Sequence, residues 1–239
     1  MTITEKLDKI EANEQRVFDA GKQAEYDAFW DACQDNGNRI DYNNSFGGMG
    51  WNNKNFLPKH NLTMGASNNA FYFNRYDGSL KELLYKQGIT LTFPKNYNMS
   101  NMFSNTLFTE IGVLDFSTII QAASKTVFSG SAKLHTIEKI ILPNSLSLSF
   151  VDWFNNCSAL ESIAFEGEIA NDINFQWSPL SVASMKSIIS CLKNYSGTDY
   201  DGTYSLTFSD TCWAALEADS SSPNGGLWKD YVTDLGWNT

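Results

Sequence analysis

The stretch Phe154-Asn155-Asn156-Cys157-Ser158-Ala159-Leu160-Glu161-Ser162-Ile163-Ala164-Phe165 decides the fold. It places an aromatic residue before turn-forming residues, and follows them with the triplet Leu160, Ile163, Phe165, spaced apolar-x-x-apolar-x-apolar. The triplet also occurs at Ile111, Leu114, Phe116 and at Ile137, Ile140, Leu142, the second interval being slightly shorter than the first. A shorter apolar-x-apolar core extends the series. Ile40 and Tyr42, Leu62 and Met64, and Leu91 and Phe93 precede it, and Leu206 and Phe208 follow after a longer insertion. An aromatic-turn unit keeps phase with the triplet, at Phe103-Ser104-Asn105, Phe128-Ser129-Gly130 and Phe154-Asn155-Asn156. Residues between alternating apolar positions of a strand point to the opposite face. One short strand per repeat cannot bury its apolar face alone, so the repeats are expected to stack into a parallel sheet with a continuous core behind it. The aromatic of each turn unit then fills the far side of that core.

The common period of about 25 residues, carrying such a triplet, falls in the leucine-rich-repeat range. The stretch Phe154 to Ile163 resembles the BspA-like leucine-rich repeat, whose unit runs aromatic-x-x-Cys-x-x-Leu-x-x-Ile and then a strand. Phe128 to Pro143 is similar with a lengthened middle. Phe103 to Phe116 departs from the pattern, having no Cys at the family's position. The resemblance covers residues 100 to 170, while residues 40 to 100 match only in the strand core. It implies an α/β fold: a short irregular leucine-rich-repeat solenoid with parallel strands, an N-terminal helix and a helical C-terminal cap. The layout also resembles proteins encoded near tail genes in prophages of gut Firmicutes, through Met1 to Leu7, Asn13 to Gly21 and the Asp27-Ala28-Phe29-Trp30-Asp31 patch. That likeness implies a virion or tail-associated protein contacting a host surface. A shared fold does not fix a function.

Three segments are expected. Residues 1–34 are helix-like, free of proline and frequent in Ala, Glu, Lys and Gln. Ile3, Leu7, Ile10, Val17, Ala24 and Ala28 form a thin heptad stripe interrupted by Glu14 and Gly21. So thin a stripe needs a partner, either the body of the same chain or other copies and virion proteins. Residues 35–177 form the repeat body. Residues 178–239 form a cap, with Ser178-Pro179 as a helix start, then Val182, Met185, Ile188, Ile189 and Leu192 at helical spacing. A strand at 203–208 follows, then a helix from Thr211 to Ala218 capped by Ser209-Asp210, and a last helix carrying Leu227, Tyr231 and Leu235. Trp213, Trp228 and Trp237 are large enough to shield the open end of a repeat stack.

The 239 residues carry 17 Lys and Arg against 27 Asp and Glu, a formal charge of -10. This balance argues against nucleic acid and anionic membranes as partners, since both are held by clustered cations. With 42% hydrophobic residues the chain can bury a sizeable core. The opening Met1-Thr2-Ile3-Thr4-Glu5-Lys6-Leu7 shows no basic segment followed by an apolar one, so synthesis in the cytoplasm without a signal peptide, and release in a virion by lysis, is expected. No stretch is apolar enough for a membrane span. Cys33, Cys157, Cys191 and Cys212 form no CxxC pair and are expected as buried free thiols.

No P-loop, GxGxxG, HExxH or GxSxG is present, and no cofactor, metal or catalytic residue is expected. His135 and His60 read as loop residues. Asp199, Asp201 and Gly202 give only a fragment of a calcium loop, and read as a solvated turn. Glu166 and Glu168, flanking Gly167, read as solvent-facing. Residues 36–75 mix many Asn with Tyr42, Phe46, Trp51, Phe56, Phe71, Tyr72 and Phe73, and Tyr76 follows. Such a mixture suits either saccharide stacking or Asn-rich turns around a core, and the turns are the plainer account. The expected role is a non-enzymatic recognition module, a phage tail or tail-fibre protein binding a host-surface protein or glycan. The alternatives are a cell-surface adhesin and a structural tail component, and a homo-oligomer is compatible with the N-terminal stripe. The expected contacts are the outward strand positions Asp41, Thr63, Thr92, Asp115, Ile141, Ala164 and Thr207.

Overall fold

A computed structural model describes residues 77–239 apart from 85–89, 121–123, 145–147, 199–203 and 220, together with Ala24 and the strands at 39–40 and 62–64. The predicted N-terminal helix, Asp41, His60, Cys33, the Asp199–Gly202 turn and nearly all of the Asn-rich region lie outside these residues. Strands β1 (Arg39–Ile40), β2 (Leu62–Met64) and β3 (Leu91–Thr92) form one parallel sheet. Helix α1 spans Leu80–Leu84. Strands β4 (Glu110–Asp115), β5 (Thr136–Ile141) and β6 (Ser162–Glu166) form a second parallel sheet. Strands β7 (Ile173–Phe175) and β8 (Leu206–Phe208) pair in parallel as a third. Helices α2 (Val182–Ser190), α3 (Asp210–Asp219) and α4 (Trp228–Asp234) complete the chain. The fold is α/β with parallel sheets, and among the described residues no sheet closes into a barrel.

The apolar series predicts one sheet, whereas the described strands divide into three. Both edges of the middle sheet are occupied by other groups. Ser79 bridges to Glu110 at the β4 edge, and the Thr109 N–H donates to the Gly78 carbonyl. On the β6 edge, the Ser181 N–H donates to the Glu161 carbonyl and the Ile163 N–H donates to Ser184 Oγ. The start of α2 thus covers an edge that a further strand would otherwise extend, and β8 pairs with β7 instead. β7 is a strand that the apolar series passes over.

Register corrects the third triplet. Ile111 pairs with Ile137, Ile137 with Ile163, and Ile140 with Phe165 across a bulge. Leu160 therefore precedes its strand, and corresponds to Leu134 rather than to Ile137. With Ile163 as the counterpart of Ile137 the two strand intervals are equal, and the shorter second interval disappears. Two residues separate Ile137 from Ile140 but one separates Ile163 from Phe165, and a strand with a period of two accommodates that mismatch only by bulging. Leu134, Ile137, Ile140, Leu160, Ile163 and Phe165 are all buried.

The turns stack as regularly as the strands. The N–H groups of Asn101, Phe103 and Asn105 donate to the carbonyls of Lys125, Val127 and Ser129. Those of Thr126, Phe128 and Gly130 donate in turn to Val151, Trp153 and Asn155. Left-handed residues recur at the same two places in each copy: Asn101, Thr126 and Asp152, then Asn105, Gly130 and Asn156. Between them Phe103, Phe128 and Phe154 stack with ring centroids 5.5 Å apart and interplanar angles of 1° and 9°.

Phe175 continues the pile, 4.4 Å from Phe154. The segment Phe175-Gln176-Trp177-Ser178 has the spacing of Phe154-Asn155-Asn156-Cys157, and the Ser178 N–H donates to the Phe175 carbonyl as the Cys157 N–H donates to that of Phe154. It is a fourth aromatic-turn unit, and Phe175 follows Phe154 sooner than Phe154 follows Phe128.

This corrects the cap as well. Ser178 is buried in that turn, with Oγ donating to the Cys157 carbonyl, so it is not a helix cap. Ser181 caps α2 by accepting from the Ser184 N–H. In α4 Trp228 and Val232 are buried, Tyr231 and Leu235 pack half-buried against the core as expected, and Leu227 is exposed. The start of α4 is held by the Glu217 carboxylate, which accepts from the N–H groups of Trp228 and Lys229 at 2.8 and 2.9 Å. Trp213, Trp228 and Trp237 are buried in the core that runs through the described elements from α1 onward.

Candidate functional site

A small open cleft of about 120 Å³ lies where the third and fourth turn units meet, lined by Asp152, Asn155, Asn174, Gln176 and Trp177. Each lining residue is positioned by a buried neighbour. Phe154 and Phe175, stacked in the core, hold Asn155 and Gln176 outward on the next position of each turn. Asn174 is the outward residue of β7, between buried Ile173 and Phe175. Its Oδ1 accepts from the Gln176 N–H at 2.8 Å, which fixes the turn carrying Trp177. Trp177 is 53% exposed, unusual for so large an apolar side chain.

The side chains of Asp152, Asn155 and Gln176 and the Trp177 indole N–H make no hydrogen bond or ion pair to any described residue. In the earlier turns several polar side chains are used, along the stack or within the turn, while the Ser129 hydroxyl is not. Thr126 Oγ1 donates to Asn101 Oδ1, Ser104 Oγ donates to the Ser129 carbonyl, and Asn105 Nδ2 donates to Ser104 Oγ. From the third unit to the fourth, where β7 runs directly into the turn, Asp152 and Asn155 make no such bond to a described residue.

The outward strand positions fare differently. Thr63 pairs with Thr92 in the first sheet, and Thr92 is exposed. Asp115 pairs with Ile141, and its carboxylate accepts from the Ser117 N–H at 2.9 Å. Asp115 is exposed, while Ile141 and Ala164 are half-buried. Thr207, also half-buried, pairs with Asn174 and is, among the described residues, the expected contact that reaches the neighbourhood of the cleft. The charges around the middle sheet are largely paired with one another: Lys81 with Glu110 and Glu138, Lys139 with Glu166, and Lys193 with Glu168. Glu138, followed by Glu110, holds the Lys81 ammonium above its ordinary pKa. Glu166 and Glu168 are thereby engaged with lysines at the surface, and His135 lies exposed in the loop before β5.

Asn155, Gln176 and Trp177 carry no sequence signal of their own. The single available clue is the aromatic-x-x-Ser spacing of Phe175 to Ser178, which reads as a turn unit once the preceding three are aligned.

Cys157, Cys191 and Cys212 are free thiols. Cys157 Sγ donates to the Phe128 carbonyl at 3.2 Å, as Ser131 Oγ donates to that of Phe103 at 2.7 Å. The position thus needs a small donor rather than a nucleophile. Burial pushes the Cys157 thiol up to about 12, which keeps it protonated. No cluster of three metal-ligating side chains occurs among the described residues, and no described helix is long and apolar enough to cross a membrane. Comparison with protein-family models, with curated proteins and with solved structures finds no match to this chain.

Proposed function

We propose that the chain is a non-enzymatic recognition module, an irregular leucine-rich-repeat solenoid that presents one end of its turn ladder to a host-surface protein or glycan. The observation that carries the reading is the cleft at Asp152, Asn155 and Trp177, where hydrogen-bonding groups and an indole face are exposed together and left without partners among the described residues. Groups held unpaired by a rigid scaffold are suited to contact something outside the chain. The lining offers hydrogen bonds and a stacking surface, and its one ionisable side chain, Asp152, has no second carboxylate beside it in the lining. Residues 1–34 serve as the attachment segment in this reading, and the resemblance to prophage tail-region proteins supports a virion as its setting.

The test is binding of the fluorescently labelled full chain to envelope preparations from a range of Gram-positive bacteria. Saturable binding to some envelopes and not others is expected. Uniform absence of binding by folded protein would sink the recognition reading and favour a purely structural tail role.

A further inference from the structure

We infer that the cleft between the third and fourth turn units is a subsite for a single uncharged pyranose ring, stacked by its C–H face on Trp177 and hydrogen-bonded at its edge by Asp152, Asn155 and Gln176. The inference rests on the recognition reading and names the ligand class of that site. It follows from the chemistry of the five lining residues.

An exposed indole calls for a ligand with a flat apolar face. One carboxylate and two unengaged carboxamides call for a ligand whose edge carries adjacent donors and acceptors. A pyranose has both on one ring. Other classes fit less well. A phosphate-bearing or carboxylated ligand would meet Asp152 with no Lys or Arg in the lining, on a chain of formal charge -10. A purely apolar ligand would strip water from Asp152, Asn155 and Gln176 and offer no hydrogen bonds in its place. The cleft is smaller than typical pockets for drug-sized ligands, so it holds one ring rather than a chain, and single-site affinity is expected to be millimolar.

Asn174, the fifth lining residue, fixes the turn. Its Oδ1 is committed to the Gln176 N–H, which orients the turn, and its strand partner Thr207 continues the polar surface onto β8.

Saturation-transfer NMR on the full chain tests the inference, using the methyl pyranosides of glucose, galactose, mannose, N-acetylglucosamine and N-acetylgalactosamine. At least one should show transfer strongest at the protons of one ring face. Trp177→Ala should abolish that transfer and Gln176→Ala should reduce it several-fold, both with unchanged thermal midpoints because these side chains are exposed. Lys139→Ala, on the sheet, should leave it intact. If no sugar of the panel shows transfer, or if Trp177→Ala and Gln176→Ala bind as the wild type does, the inference is overturned. Envelope binding that persists alongside a silent panel overturns the pyranose subsite alone. Sugar binding without envelope binding overturns host recognition and leaves the subsite standing.

Discussion

Among single residues, the turn ladder depends most on a few positions where backbone conformation leaves little choice. Asn101, Thr126 and Asp152 begin each turn unit in the left-handed region, and Asn105, Gly130 and Asn156 end it there. Asn and Asp tolerate that conformation better than other side chains do, Gly tolerates it freely, and the β-branched Thr126 takes it up at a cost. Gly130 has a second reason, since a Cβ there would meet the side-chain oxygen of Asn105 in the preceding copy and turn that side chain away from its hydrogen bond to Ser104 Oγ. Gly130→Ala should therefore cost about 2 kcal/mol, the left-handed backbone and the lost hydrogen bond together. Gly197→Ala, with φ of +70° but nothing within 4 Å of the added carbon, should cost about 1 kcal/mol. Urea midpoints of the two variants measure the difference. Equal losses would mean that close stacking at the turns adds nothing to the conformational cost. The Cys of the repeat unit has a residue-level explanation too. Ser131 and Cys157 each donate to a carbonyl in the preceding unit, so a hydroxyl serves in one unit where a thiol serves in the next.

Among the elements, the unit of construction is a turn and a strand that both bond to their counterparts in the next repeat. The apolar triplets mark where the strands fall, but spacing alone sets Leu160 against Ile137. Only hydrogen-bonded register shows that its counterpart is Leu134, because both candidates are apolar and both precede or open a strand. The stacked rings tie the copies together on the other side of the core. Phe128 touches Phe103, Phe154 and Trp153, so Phe128→Ala should destabilise by about 3–5 kcal/mol. Ile141→Ala, half-buried at the end of β5, should cost clearly less. Chemical denaturation of both variants decides it, and a Phe128→Ala loss no larger than that of Ile141→Ala would show that the ring stack does not hold the repeats together. The ion pairs on the sheet are exposed and contribute little by comparison.

For the molecule as a whole, one core joins the second and third sheets to the helices that close the C-terminal end. Cys157 and Tyr97 are sealed in it, and both make stability depend on alkaline pH. Burial raises the Cys157 thiol to about 12 from an ordinary value of 9.0, and raises the Tyr97 hydroxyl as well. In the unfolded chain these groups lose their protons at their ordinary values, while the folded chain keeps them. Between pH 9 and pH 12 the unfolded state binds fewer protons, so stability should be level below pH 9 and fall as pH rises above it. Cys157→Ser should flatten the lower part of that fall, and Tyr97→Phe the part above pH 10. Urea titrations across this range check it, and a slope unchanged in both variants would rule out the assignment.

Periodic features were legible in the sequence: where most of the strands and the first three aromatic turns fall, that the strands run parallel, and that the last segment carries helices and tryptophans. They follow from local spacing of apolar residues, which any stacked arrangement must bury. Strand register, the division into three sheets and the fourth turn unit emerged only on folding. So did the cleft. Trp177 and Asp152 lie in different repeats, and neither stands out in the sequence. They meet because Phe175 stacks on Phe154 in the core and sets the fourth turn beside the third. Edge covering and backbone register are set by hydrogen bonds between distant residues, and composition and spacing carry no record of them.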